Sequence, residues 1–127
     1  MKKSPLADAF VSHVVDSLRT LGPVEAKRMF GAWGLYHEGV FFALVSGGTL
    51  YLKTDADNRA EFDARKLEAF TFEKGGETVV TSYRAAPEEA LEDPRVMAQW
   101  TRSGYAAALR KVTASSAAKK SRKNRRA

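Results

Sequence analysis

Leu6, Phe10, Val14, Leu18 and Leu21, with Val11 and Val15 beside them, recur at helical spacing near the start of the chain. Ser4 can cap this helix and Pro5 can occupy its first position, and Gly22-Pro23 stops it. From Val24 to Lys53 the period shortens. Apolar and aromatic runs (Met29-Phe30, Trp33 to Tyr36, Val40 to Val45, Leu50 to Leu52) are punctuated by glycines, which predicts strands joined by tight turns at His37-Glu38-Gly39 and Ser46-Gly47-Gly48-Thr49. Such short connections make an antiparallel meander the default pairing, because parallel neighbours need long crossovers. Thr54 or Asp55 caps a second helix carrying Ala60, Phe62, Ala64 and Leu67.

Strands over Ala69 to Glu73 and Thr78 to Arg84 flank the turn Lys74 to Glu77; in the second, Val80, Ser82 and Arg84 share one face and Val79, Thr81 and Tyr83 the other. Pro87 opens a third helical region, split at Glu92-Asp93-Pro94, with Val96, Met97, Trp100, Tyr105, Ala108, Leu109 and Val112 as its apolar positions. The order α-β-β-β(-β)-α-β-β-α predicts an α+β fold of two layers, an antiparallel sheet covered by helices.

Charge changes the picture at the C-terminus. Seven bases and no acid fall between Lys111 and Ala127: Lys111, Lys119, Lys120, Arg122, Lys123, Arg125 and Arg126. The rest of the chain sets fourteen bases against fifteen acids, so a body of net −1 and a tail of +7 make up the total of +6. The sequence pI of 9.7 is therefore a property of the tail. After Val112 there is no large apolar residue, which predicts a folded domain over 1–112 and a disordered basic tail over 113–127. A flexible polycation attracts polyanions without reading sequence, so non-specific DNA or RNA binding is the expected tail function. The tail has no aromatic residue to stack on bases.

There is no cysteine, which excludes disulfides, thiolate zinc sites and cysteine nucleophiles. No apolar run approaches the roughly 18 residues of a membrane helix, and the basic N-terminus leads into no signal-peptide core, because Asp8, His13 and Asp16 interrupt it. The expected location is the cytoplasm, with no membrane partner.

A pattern in order along the body carries a resemblance. It consists of Arg28-Met29-Phe30-Gly31 with Gly34-Leu35-Tyr36, Phe42-Ala43-Leu44, and Leu50-Tyr51-Leu52-Lys53 followed by Asp55, Asn58 and Arg59. Phe70, Phe72-Glu73, Ser82-Tyr83 and Pro87 to Leu91 complete it. This block, Arg28 to about Tyr105, resembles the N-terminal domain of the TfoX/Sxy family. The resemblance implies a two-layer α+β domain and an association with regulation of competence and DNA transformation. It supplies no catalytic residues. The full-length regulators carry a second, C-terminal domain resembling a helix-hairpin-helix nucleic-acid module, where this chain has its basic tail, so the resemblance points to a stand-alone domain.

The search for chemistry yields little. His13 and His37 lack ligand or triad spacing and read as surface or edge residues. Glu88, Glu89, Glu92 and Asp93 read as a solvated anionic helix start. Asp55, Asp57 and Asn58 lack the glycine and distal glutamate of a calcium loop, and no glycine set forms a phosphate loop. No catalytic residue, cofactor or metal is expected, and the chain reads as a non-enzymatic regulatory or accessory domain with a protein partner. Two alternatives remain. Arg28, Lys53 and Arg84 near strand ends, with Tyr51 and Tyr83, would form a cationic, aromatic patch for a small anion if those ends converge; the bland reading pairs them with Asp55, Glu73 or Glu25. Trp33, between Gly31 and Gly34, marks either close packing or a partner groove. A sheet edge or an apolar face of the third helix is where two copies could meet.

Overall fold

The computed structural model describes residues 9–29 and 31–126, and the side chains of residue 20 and of 115–126 fall outside that description. The predicted cap at Ser4-Pro5 also lies outside it. Helix α1 is Ala9–Ser17, followed by a 3-10 turn over Leu18–Thr20. Four strands follow: β1 (Glu25–Met29), β2 (Ala32–His37), β3 (Val40–Ser46) and β4 (Thr49–Lys53). Helix α2 is Arg59–Ala64, strands β5 and β6 are Ala69–Lys74 and Glu77–Ala85, and a 3-10 turn over Glu88–Leu91 precedes α3, Pro94–Arg126. The split before Pro94 and the α+β order are as the sequence predicts.

The strands form one six-stranded sheet in the order β1-β2-β3-β4-β6-β5. Every neighbouring pair is antiparallel. The meander holds through β4. There α2 carries the chain out to the edge as β5, and β6 returns between β5 and β4. The tight hairpins have positive φ at both central residues, 49° and 79° at Glu38-Gly39 and 57° and 76° at Gly47-Gly48, a conformation that the three glycines adopt freely and Glu38 adopts at a cost. This left-handed pair gives the twist that right-twisted strands need.

All three helices lie on one face of the sheet. Val11, Val14 and Leu18 from the α1 region, Phe62 from α2, and Met97 and Ala108 from α3 meet Leu35, Phe42, Ala43, Val45, Leu50 and Leu52 from the sheet. Most of these are wholly excluded from water, and a buried side chain of that size contributes about 1.5–3 kcal/mol. α3 lies close against the sheet at Gly104, where a Cβ would lie 3.1 Å from Leu52 Cβ.

A bulge decides which residues face the helices. Between β2 and β3 the register passes from Leu35↔Ala43 to Tyr36↔Phe41, leaving Phe42 as an extra residue. Phe42 thus turns to the covered face, edge-on to Tyr105 of α3 at 5.6 Å, while Phe41 turns to the open one.

The expected disorder from residue 113 differs from the backbone found: α3 continues as helix through that boundary to Arg126. The segment contains neither glycine nor proline and is rich in alanine, lysine and arginine, all good helix formers.

Candidate interaction face

Among the described residues, the second face of the sheet carries no helix. Alternation along the strands places Lys27, Met29, Tyr36, Phe41, Leu44, Tyr51, Lys53, Phe70, Phe72 and Tyr83 there. The rings cover one another instead of being covered by a second layer. Tyr36 and Phe41 have centroids 5.2 Å apart with planes tilted by 30°, and Phe41 and Tyr83 stack at 5.1 Å and 29°. Phe41 is on β3 and Tyr83 on β6, so their rings meet over the intervening strand, β4, at Lys53. A second group, Tyr51, Phe70 and Phe72, continues toward the β5 edge at 5.2 and 6.4 Å. Leu44 lies beneath them, 6% exposed, whereas the rings are half-exposed and Phe72 reaches 42%.

Gly34 explains how the first row packs. A Cβ at this position would lie 2.6 Å from Met29 Sδ and 3.2–3.3 Å from ring carbons of Phe41 and Tyr36. The absent side chain makes room for the chain's own rings, not for a foreign backbone.

Cations stand at both ends of the row. Lys27 Nζ is 4.9 Å from the centre of the Tyr36 ring, and Lys53 Nζ is 5.4 Å from that of Tyr83. The two differ in environment. Lys27 is exposed. Lys53 is 8% exposed and donates to Ser82 Oγ; burial lowers its pKa, helped by nearby Lys111 and opposed by Asp55. Burial likewise pushes the Tyr83 hydroxyl up to about 12, with Tyr36 adding to the effect.

The end of β4 is pinned to α3. Asp55 Oδ1 accepts from the backbone N–H groups of Asp57 and Asn58, and Asn58 Oδ1 accepts from Asp55 N–H at 2.8 Å. This reciprocal cap starts the α2 turn. Asn58 is 3% exposed, and its amide donates to the carbonyls of Lys53 and Ser103 and to Ser103 Oγ. Arg110 then grips Asp55 with two bonds of 2.6 and 2.8 Å, Nε to Oδ2 and Nη2 to Oδ1. That grip, with the cap, holds the Asp55 carboxyl at about 2. The root of the basic segment, Arg110-Lys111, is therefore fixed beside the end of β4. Sequence reasoning found the cap and missed the joint, because nothing local ties Asp55 to residues about fifty positions away.

The five residues of the expected anion patch do not all converge, and Trp33 lies apart from Lys53 and the two tyrosines. Tyr51, Lys53 and Tyr83 lie on the open face, with Tyr83 directly opposite Lys53. Arg28 and Trp33 are register partners at the β1–β2 end of the covered face, the guanidinium 5.3 Å from the indole centre. Arg84 pairs with Leu52 on the covered face, bonding Asp63 at 2.9 Å and the Leu67 carbonyl at 2.7 Å. None of these three cations pairs with Asp55, Glu73 or Glu25 among the described residues. Trp33 packs half-buried against the core. Lys111 is exposed at the root of the tail, and the side chains of Lys119, Lys120, Arg122, Lys123, Arg125 and Arg126 lie outside the described residues.

His37 also departs from expectation. It is no surface residue but 8% exposed at the end of β2, with Nδ1–H donating to the Pro23 carbonyl at 2.8 Å and its ring edge-on to Tyr105. It closes the space over Gly22, where a Cβ would meet its Cε1 at 2.5 Å. Among the described residues no His, Asp and Glu cluster could hold a metal ion, and no helix is long and apolar enough to cross a membrane.

Over 94 residues the chain is 28% identical to Protein Sxy of Escherichia coli (strain K12), an alignment that covers 73% of this chain and 44% of that protein. The chain thus spans less than half the length of that relative. The family described as TfoX N-terminal domain matches residues 16–108, from the end of α1 to the part of α3 that packs on the sheet. The chain belongs to the TfoX N-terminal domain family.

Proposed function

We propose that this chain is a non-enzymatic regulatory module of the competence-regulator type, acting through contacts with protein partners and holding nucleic acid through its basic C-terminal segment. One observation supports the reading above the others: the acid-free run of seven bases continues a helix whose root is fixed to the folded body by the Arg110–Asp55 grip. A helical rise of about 1.5 Å per residue spreads the backbone of this segment over roughly 20 Å, long enough to span several phosphates. The family match supports the regulatory part.

The test is a gel shift with duplex DNA at low and high salt. The full chain is compared with a variant in which Lys119, Lys120, Arg122, Lys123, Arg125 and Arg126 are glutamine. With four or five phosphate contacts, the log–log salt slope is about −4 for the full chain and falls to near zero for the variant. Duplex binding that the glutamine variant retains in full refutes the proposal.

A further inference from the structure

The open face has a feature that the basic segment lacks, namely aromatic rings at the place where that segment begins. Tyr36, Phe41 and Tyr83 form a row of near-parallel rings at the end of the sheet where β4 finishes. The same end holds Lys53, whose amine feels the charge of Lys111 on α3. The Asn58 and Arg110 contacts fix that spacing. The basic segment therefore starts at the end of the sheet where the aromatic row stands, on the face opposite it.

The row is an unfinished stack. On its outer side Tyr36 carries the Lys27 ammonium, 4.9 Å from the ring centre. That lysine is 57% exposed, and its ion pair with Glu25 is long, 4.0 Å. A flat base can take its place on the ring, leaving the ammonium to meet the adjoining phosphate. Every base has a π-face, so such stacking tolerates any sequence but requires bases that are not already paired. Charge and shape select the same ligand: a neutral aromatic row flanked by lysines and rooted beside a polycation.

We propose that the open face binds single-stranded nucleic acid, its bases stacking on the Tyr36–Phe41–Tyr83 row and its phosphates held by Lys27 and the basic extension of α3. The inference rests on the nucleic-acid reading above and narrows it. The basic segment supplies sequence-blind attraction to any strand, and the rings supply the preference for unpaired bases.

The experiment uses the full chain and measures fluorescence anisotropy with a labelled thymidine oligomer of about twelve nucleotides and with a duplex of equal length. Tyr36→Leu and Tyr83→Leu keep apolar volume and remove the rings; Tyr36→Phe and Tyr83→Phe keep them. Circular dichroism and thermal midpoints establish that each variant is folded. The expected result is that each leucine variant loses about tenfold in affinity for the single strand, with duplex affinity unchanged, and that each phenylalanine variant binds as the parent does. The glutamine-neutralised tail instead weakens both ligands, so failure of the tail reading and failure of the ring reading give different patterns. If the folded leucine variants bind the single strand as tightly as the parent, the proposal is overturned. It is equally overturned if the rings prove to hold a second copy of the chain, seen as a dimer in sedimentation that the leucine variants dissociate while single-strand affinity stays constant.

Discussion

The two faces of this sheet are made from alternate residues of the same strands and have opposite fates. On one, Leu35, Phe42, Leu50 and Leu52 are sealed under three helices at no more than 2% exposure. On the other, Tyr36, Phe41, Tyr51, Phe70 and Tyr83 are half-exposed and shield mainly one another. The covered face holds the fold together. The open face has an aromatic content that stability alone does not require, because an antiparallel sheet can present polar residues to water. The adjacent residues Phe42 and Phe41 give the sharpest form of this contrast. Phe42→Ala leaves a cavity beneath α3 and should cost about 3–5 kcal/mol, whereas Phe41→Ala loses only ring contacts and should cost about 1 kcal/mol. Urea unfolding of the two variants measures the difference directly, and equal losses would mean that the open face is a second core.

The glycines extend the comparison at smaller magnitude. At Gly104, on the covered side, a Cβ meets Leu52 Cβ at 3.1 Å and the Lys53 backbone nitrogen at 3.6 Å, neither of which can swing aside. Overpacking of about 1–3 kcal/mol outweighs a gain in helix propensity of up to about 1 kcal/mol, so Gly104→Ala should lower the thermal midpoint. At Gly34, on the open side, the first atom met is Met29 Sδ, the far part of a flexible chain. Gly34→Ala should therefore be within about 1 kcal/mol of neutral while displacing the Tyr36–Phe41 row, visible as shifted aromatic NMR resonances.

The difference between the faces was only partly legible in the sequence. The hairpins were, because Gly39, Gly47 and Gly48 are residues that left-handed turns favour. Asp55 was legible as a cap, and Asp93-Pro94 as a helix start, since both depend on neighbours in sequence. The bulge at Phe42 was not. Val40 to Val45 is an unbroken apolar run whose parity nothing local reveals, and a shift of one residue exchanges the two faces. The insertion of β6 between β4 and β5 was likewise hidden, because pairing of non-consecutive strands is decided by tertiary packing. The predicted cationic patch failed for the same reason: strand ends can be guessed locally, but the face to which Arg28, Lys53 and Arg84 point depends on register. The open aromatic face itself went unread because half-exposed and buried rings look alike in sequence.

Titration separates the two ends of the stability range. Tyr83 is held at about 12 on the open face, so its protonated form is favoured in the folded state. Its contribution is constant below the ordinary tyrosine value of about 10 and is lost as pH rises from there toward 12, because the unfolded chain ionises first. Tyr83→Phe should remove that alkaline decline. Tyr105, also raised by burial, accounts for a smaller decline that remains; a decline of unchanged size would show that Tyr83 is not the group that carries it.

Asp55 gives the smallest effect and the opposite sign. Its carboxyl, held at about 2 by the Arg110 guanidinium, is depressed in the folded state. The stabilisation is therefore complete above about pH 4 and lost as pH falls from there through 2. The pair lies at the surface, with the Arg110 side chain 41% exposed, so about 1 kcal/mol or less is at stake even with two hydrogen bonds. Arg110→Ala should flatten the acid limb of the stability–pH curve and lower the midpoint at neutral pH by a few degrees at most. Its larger consequence should be local. With the grip gone, amide hydrogen exchange should quicken in α3 after Arg110 while the Gly104 turn, packed on Leu52 and tied through Asn58 to Ser103, keeps its protection. Unchanged exchange beyond Arg110 would show that the basic extension does not depend on this anchor for its place beside the aromatic row.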